Sequence, residues 1–249
     1  MESPNKTKII ILAAGKGTRM DSILPKVLMP LKNKSLIKHL LEKVDKLNFD
    51  IPYIVVGYKK EQVMQELGNK YHYVIQEEQL GTGHAVNTAK KYINGEMQNI
   101  VILYGDQPFT SVNTIEKLVA KQNEKKAKVV MATVRVPDFD DWRHCFSNFS
   151  RIIRQENGKI KNTVEKKDAS EEELKIKEVN PCYFCFDSDW LWSHLDKLKN
   201  ENAQKEYYLT DLIKMATEEG EEIESIEIDA HEALGANNKE ELNILEKFV

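Results

Sequence analysis

The chain has 249 residues, of which 41% are hydrophobic and 31% charged, with a formal net charge of −4. This suits a globular α/β protein of one large or two small domains, and the acidic balance argues against a general nucleic-acid binder, whose footprint is basic. No apolar run reaches membrane-spanning length, and Ile9 to Ala14 is shorter than a signal-peptide core, so neither export nor a membrane anchor is expected.

Ile9-Ile10-Ile11 reads as a short buried strand. It breaks into Leu12-Ala13-Ala14-Gly15-Lys16-Gly17-Thr18-Arg19-Met20, with Pro25-Lys26-Val27 following. A strand that opens into a glycine-bearing, basic loop presents backbone N–H groups to phosphate. Gly15 and Gly17 permit a sharp turn and close approach, and Lys16, Arg19 and Lys26 add cations; a plain tight turn is the alternative. The loop is not a P-loop, because Lys16 sits between two glycines and no Gly-Lys-Ser/Thr follows. Nor is it the dinucleotide fingerprint, because Met20 stands where the third glycine belongs.

Ser35 is expected to cap a helix reaching about residue 47, with Leu36, Ile37, Leu40, Leu41 and Val44 at helical spacing. Residues 53–57, 73–76 and 100–104 read as strands, 61–67, 84–92 and 111–122 as helices, and 128–136 as a β-rich run. Repeated β-α units with continuous apolar strands predict a Rossmann-like, mostly parallel sheet with helices on both faces. Ligands on such sheets sit outside the carboxyl ends of the strands, where loops 13–20, 76–83 and 104–108 fall.

The second half differs. Residues 137–150 are irregular and aromatic, with Trp142, Phe146 and Phe149 forming either a lid or a packed satellite cluster. Residues 151–154 and 160–165 flank Glu156-Asn157-Gly158-Lys159, a hairpin signal. Residues 189–199, 208–217 and 237–248 read as helices and 223–228 as a strand. With no linker and no repeat, 1–249 reads as one domain: about 1–136 for the nucleotide and about 137–210 as a substrate-side subregion. Three cysteines, an odd count, fit reduced thiols in the cytoplasm. Strand alternation would put Cys182 and Cys185 on opposite faces, which disfavours zinc.

Asp106 follows an apolar strand and Gly105, so its carboxylate emerges at the ligand-bearing edge. A hard oxygen there suits Mg²⁺ held mainly by substrate phosphates; a turn aspartate is the alternative. Gln76 and the Gly81-Thr82-Gly83-His84 stretch can read a pyrimidine edge with amide and backbone groups, or simply start a helix with Thr82 as cap. His84 reads as structural. Glu165 reads as solvated, Tyr207 and Tyr208 as packed, and Asn237-Asn238 as a helix cap. Nothing in the residue types alone singles out Asn237.

Together these blocks resemble the uridylyltransferase domain of bacterial N-acetylglucosamine-1-phosphate uridylyltransferases, in the sugar-nucleotidyltransferase superfamily. The likeness runs from about Lys8 to the end. It rests on Leu12 to Met20, Pro25 to Leu28, Gln76 with Gln79 to Ala85, Tyr104-Gly105-Asp106, Val164 to Ala169, Glu178-Val179-Asn180, Glu206 to Asp211 and Asn237-Asn238. The resemblance implies the nucleotide-diphospho-sugar transferase fold and a pyrophosphorylase reaction that supplies cell-envelope precursors. In it, UTP and a sugar 1-phosphate give UDP-sugar and pyrophosphate. It implies that Leu12, Ala13, Ala14, Gly15, Gly17, Gln76, Gly81 and Thr82 hold the nucleotide, and that Arg19 and Lys26 bind phosphates and act in catalysis. Tyr104, Gly105, Glu165 and Asn180 would contact the sugar, and Asp106 and Asn237 would bind Mg²⁺.

Three departures bear on the substrate. The family's Gly-Tyr-Gly-Arg is here Asn148-Phe149-Ser150-Arg151, after extra residues, and its Asn-Thr-Gly is Asn180-Pro181-Cys182. Both leave the sugar open. Its left-handed β-helix acetyltransferase domain has no counterpart in these residues, so neither acetyl transfer nor that trimerising element is expected, and the oligomeric state stays open. Two alternatives remain: a cytidylyl- or other nucleotidyltransferase with another phosphorylated acceptor, since an amide can rotate to suit cytosine, and a non-catalytic nucleotide-binding protein.

Overall fold

The computed structural model describes residues 6–17, 20, 22–93 and 97–249. The first strand, β1 (Thr7–Ala13), is buried along nearly its whole length. Ile9 and Ile11 enter one core layer, while Ile10 and Leu12 enter the other. An uninterrupted apolar run is what a strand covered on both faces requires. A short hairpin, β2 (Pro30–Leu31) and β3 (Lys34–Ser35), leads into α1 (Leu36–Val44). Then come β4 (Tyr53–Val56), α2 (Lys60–Leu67), β5 (His72–Ile75), α3 (Thr82–Ala89) and β6 (Asn99–Tyr104). The strands stand in the order β5-β4-β1-β6, all parallel.

Helix α4 (Val112–Lys125) is capped by Ser111, whose hydroxyl accepts from the Thr114 N–H, and delivers the chain to β7 (Val129–Arg135). The hairpin signal is borne out by β8 (Ser150–Arg154) and β9 (Ile160–Val164), paired antiparallel. Next are α5 (Glu171–Leu174), β10 (Glu178–Asn180), β11 (Phe184–Asp187), α6 (Ser188–His194), α7 (Asp211–Glu218), β12 (Ile223–Glu227) and α8 (Lys239–Leu245). Strand β11 inserts antiparallel between β6 and β7, and the sheet continues through β10, β8 and β9, while β12 pairs parallel with β7.

Helices cover both faces, as expected. Val86 of α3, Leu191 of α6 and Leu212 of α7 fill one layer; Leu40 of α1, Val63 of α2 and Leu118 of α4 fill the other. A third cluster joins Phe146, Val179 and Leu242 of α8.

Several local expectations shift for identifiable reasons. Ser35 precedes α1 but its hydroxyl makes no capping bond, because it ends a hairpin strand and turns inward, where it is buried without a partner. Helix α1 stops at Val44, and a turn follows. Thr82 is the first residue of α3, not its cap; its hydroxyl accepts from the Leu209 N–H at 3.0 Å. That bond occupies the residues just before α7, which starts at Asp211 instead of Tyr208. Of the Asn237-Asn238 pair expected to cap the last helix, Asn238 caps α8. Residues 141–148 form a 3₁₀ helix where irregular chain was expected. There Trp142 and Phe146 pack with each other, and Trp142 also contacts His231 and Phe248, so these two rings belong to a satellite cluster. Cys182 and Cys185 do join opposite core layers.

Candidate active site

The three loops anticipated at the carboxyl ends of the parallel strands meet around a cleft of about 550 Å³. Its wall starts where β1 ends, at Leu12, Ala13 and Ala14, and continues through Gly15 to Gly17. Leu12 C=O accepts from Gly105 N–H at 2.9 Å, and Ala14 C=O from Tyr58 N–H at 3.1 Å, which fix the loop against its neighbours. Gly17 has φ of 58°, and a Cβ there would stand 2.7 Å from Lys26 Cβ. A side chain at 17 would therefore displace Lys26 from the cleft. Arg19 lies outside the described residues.

The opposite wall is Gln76, Gly81 and Thr82. Gly81, at φ 114°, lies against the Tyr207 backbone, and a Cβ would approach its carbonyl oxygen to 2.6 Å. Tyr207 N–H donates to Leu80 C=O, and Gly83 N–H donates to Tyr207 C=O, each at 2.8 Å, which stitches residues 206–209 to this loop. Gln76 is buried, and its Nε2 donates to Gly81 C=O at 3.2 Å and meets His84 Nδ1 at 2.9 Å. A carbonyl oxygen can only accept, so this contact turns the Gln76 amide oxygen the other way. His84 thus has the structural part read from the sequence.

A second, smaller cavity of about 200 Å³ adjoins the first. The two share Lys26, Tyr104 and Asp106. Beyond these, the small cavity is lined by Phe149, Glu165, Asn180, Cys182 and Asn237 among others. Glu165 is held by Ser150 and Thr210, whose hydroxyls both donate to its Oε1 at 2.9 Å. Asn180 is 1% exposed; its Oδ1 accepts from the Cys182 N–H at 2.7 Å, and its Nδ2 has no partner. A buried amide donor without an acceptor is costly unless a ligand supplies one. Burial, then the neighbouring Cys182 and Glu165, push the Tyr104 phenol well above its usual range. It is a neutral hydrogen-bonding group there. Burial likewise raises the Cys182 thiol.

At the junction of the cavities, Lys26 Nζ is ion-paired with Asp106 and donates to Asn237 Oδ1 at 2.9 Å. Asn237 is brought there by its own loop, where Ala236 N–H donates to the Asp106 backbone carbonyl at 3.3 Å. Two hard oxygens thus already converge on one positive charge. That donor set fits a divalent cation of the Mg²⁺ type, with the lysine ammonium standing where such charge is favoured. Among the described residues no group of three or more His, Cys, Asp and Glu side chains is placed to hold a metal.

One sequence-derived site residue stands apart. Gly105 lines neither cavity; the space beside its Cα faces Ile37 and Val27 in the core. Residues given no site role from the sequence also appear: Gln79 and Glu206 border the nucleotide-side cleft, beside Lys16 of the basic loop, and Cys182 borders the smaller one, beside Phe149 of the aromatic segment. Cys182 takes a left-handed φ of 65°, a conformation that favours glycine, and still presents a side chain to the cavity.

Residues 9–212 match the family model described as the MobA-like NTP transferase domain. The chain belongs to that family. It is 41% identical over 231 residues to the bifunctional protein GlmU of Shouchella clausii, covering 92% of this chain and 49% of that protein. It is 36% identical over 246 residues to the bifunctional protein GlmU of Bacillus subtilis strain 168, covering 98% of this chain and 52% of that protein. The chain therefore spans about half the length of these curated relatives. In fold it is similar to a UDP-glucose pyrophosphorylase complexed with UDP-glucose, with a TM-score of 0.77, 18% identity and 97% of each chain covered. A glucose-1-phosphate thymidylyltransferase from Bacillus anthracis gives a TM-score of 0.74 at 20% identity, covering 97% of this chain and 94% of that one. The nucleotide-diphospho-sugar transferase fold inferred from sequence is thus borne out.

Proposed function

We propose that the chain is a sugar-1-phosphate uridylyltransferase: UTP and a hexose 1-phosphate, N-acetylglucosamine 1-phosphate or a close relative, give UDP-sugar and pyrophosphate. The observation that carries this reading is the meeting of two cavities at Lys26 and Asp106. A nucleotide in the large cleft would present its α-phosphorus there, and a phosphorylated acceptor in the small cavity would present its phosphate oxygen to the same point.

In this reading Leu12, Ala13, Ala14, Gly15, Gly17, Gln76, Gly81 and Thr82 hold the nucleotide, and Tyr104, Glu165 and Asn180 hold the sugar. The Gln76 amide nitrogen is committed to Gly81, which would leave its oxygen to meet a base bound in the cleft. An acceptor there meets the N3–H of uracil and opposes the lone pair at cytosine N3. Asp106 and Asn237 would hold Mg²⁺, which when bound neutralises phosphate charge. Lys26, and Arg19 seven residues before it, would bind the phosphates. The acceptor phosphate is anionic at neutral pH, so no general base is needed. Its oxygen attacks the α-phosphorus in line, and the bond to the β-phosphate oxygen breaks, releasing pyrophosphate. Catalysis is then positioning and charge neutralisation.

We also infer that residues 1–249 act as one nucleotidyltransferase domain, with the substrate side built by about 137–210, and that the protein works in the cytoplasm on small molecules. No helix among the described residues is long and apolar enough to cross a membrane. The nucleotide is tested by pyrophosphate release with N-acetylglucosamine 1-phosphate, Mg²⁺ and each of UTP, CTP and dTTP. UTP is expected to be preferred by tenfold or more, on the order of one correctly matched base edge; preference for CTP would overturn the Gln76 argument.

A further inference from the structure

Glu241 sits in the first turn of α8 and is 1% exposed. Its Oε2 accepts from the Asn237 backbone N–H at 2.8 Å and from Asn237 Nδ2 at 3.0 Å, and its Oε1 accepts from Asn238 Nδ2 at 3.1 Å. Its own N–H donates to Asn238 Oδ1 at 2.8 Å, the ordinary capping bond. The capping bond accounts for the helix start. It does not account for a buried carboxylate that reaches past the cap to grip the side chain of the preceding residue.

We propose that Glu241 is a positioning residue that fixes which end of the Asn237 amide faces the cation site. An asparagine amide has a donor end and an acceptor end of nearly the same shape, and rotation exchanges them. Only the oxygen end can meet a cation. A carboxylate on the far side accepts from Nδ2 and would oppose the amide oxygen if the group turned over. Glu241 therefore holds Oδ1 toward Lys26 and Asp106, where Oδ1 lies 2.9 Å from the Lys26 ammonium. The arrangement is of the kind by which an outer group orients a metal ligand, and removing such a group typically costs about 10–100-fold in metal affinity. This inference rests on the reading of Asp106 and Asn237 as the cation site.

The test measures how much Mn²⁺ strengthens UTP binding, without acceptor, as the ratio of UTP dissociation constants in EDTA and in saturating Mn²⁺. Water-proton relaxation reads the bound Mn²⁺ directly. Glu241→Met keeps the bulk and removes the acceptors; Glu241→Ala, whose cavity admits water, serves if the Met variant does not fold. Either should reduce the Mn²⁺ advantage about tenfold, while Glu241→Gln, which still accepts from Nδ2, stays within about threefold of wild type. In an Asn237→Ala background the Glu241 substitution should change the ratio by less than about twofold, because nothing is left to orient. A lowered Tm with an unchanged ratio in the single variant would assign Glu241 to helix capping and overturn the proposal. If Asn237→Ala itself leaves the ratio unchanged, the cation-site reading fails, and this inference fails with it.

Discussion

Asn237 and Lys26 are 211 residues apart in sequence, and in the fold the lysine ammonium donates to the asparagine Oδ1 at 2.9 Å. The contact closes the junction between the two cavities, with Asp106 as the third member. Asp106→Asn should retain the shape of this junction and lose the negative charge that a cation needs. We expect kcat to fall by about 100-fold or more, with thermal unfolding little changed. Steady-state kinetics across a Mg²⁺ titration checks this; near-normal turnover at saturating Mg²⁺ would remove Asp106 from the cation site.

Arg151 is 2% exposed, and its guanidinium is tied to backbone carbonyls, not to a carboxylate. Nη1 bonds Phe149 C=O, and Nη2 donates to Ser147 C=O at 3.0 Å, while the guanidinium carbon lies 4.7 Å from the Phe139 ring centroid. It props the turn that places Phe149 at the smaller cavity. Arg151→Met should cost about 2–4 kcal/mol, from several unpaired buried carbonyls, and Arg151→Lys less. Denaturant unfolding measures the loss, and the KM for the sugar phosphate should rise more than that for UTP. Stability within error of wild type would contradict this role.

Phe149, standing where the resembled family has tyrosine, and Cys182, where it has glycine, both line the smaller cavity. Phe149 also stacks edge-on against Phe146, at a centroid separation of 5.2 Å, so it belongs to both the cluster and the cavity. Phe149→Ala and Cys182→Gly should each change the ranking of sugar 1-phosphates by kcat/KM about tenfold, leaving KM for UTP within about twofold. An unchanged ranking accompanied only by a lower Tm would assign both to packing.

The nucleotide half was legible because its signals are local. The Ile9-Ile10-Ile11 run, the glycines after it, Gln76 at a strand end and Asp106 after Gly105 each announce a strand carboxyl end within a few residues. Asn237 was not legible from residue types, because its partner lies at the far end of the chain and the bond between them is tertiary. Glu241 reads as one more acid in a helix first turn until its far oxygen is seen on Asn237. The antiparallel entry of β11 between β6 and β7 leaves no periodicity of its own, since a buried strand has the same apolar run in either direction. The alternative of Thr82 as a helix cap does not hold, because its hydroxyl accepts from Leu209 N–H, which belongs to a distant segment.

Asp211 offers a pH test. Burial first, and then the negative charge of Glu165, push its carboxyl up to about 6 from an ordinary 3.8. The folded state therefore holds a proton that the unfolded chain releases, so stability is full below about pH 4 and declines as pH rises toward 6. Asp211→Asn removes that penalty. Its gain in unfolding free energy should be absent below about pH 4, climb between pH 4 and 6, and level off near 1 kcal/mol, discounted because the group is partly exposed. Urea unfolding at pH 4, 5, 6 and 7.5 checks it; a gain independent of pH would point to a cause other than this carboxyl.

Uridylyl transfer is tested by ³¹P NMR of the protein with UTP, N-acetylglucosamine 1-phosphate and Mg²⁺. The UTP and sugar phosphate signals should decline together while UDP-sugar and pyrophosphate appear in equal amounts, and adding pyrophosphate to UDP-sugar should run the reaction backwards. Release of inorganic phosphate from UTP, or UTP that stays intact with every hexose 1-phosphate tried, would contradict it.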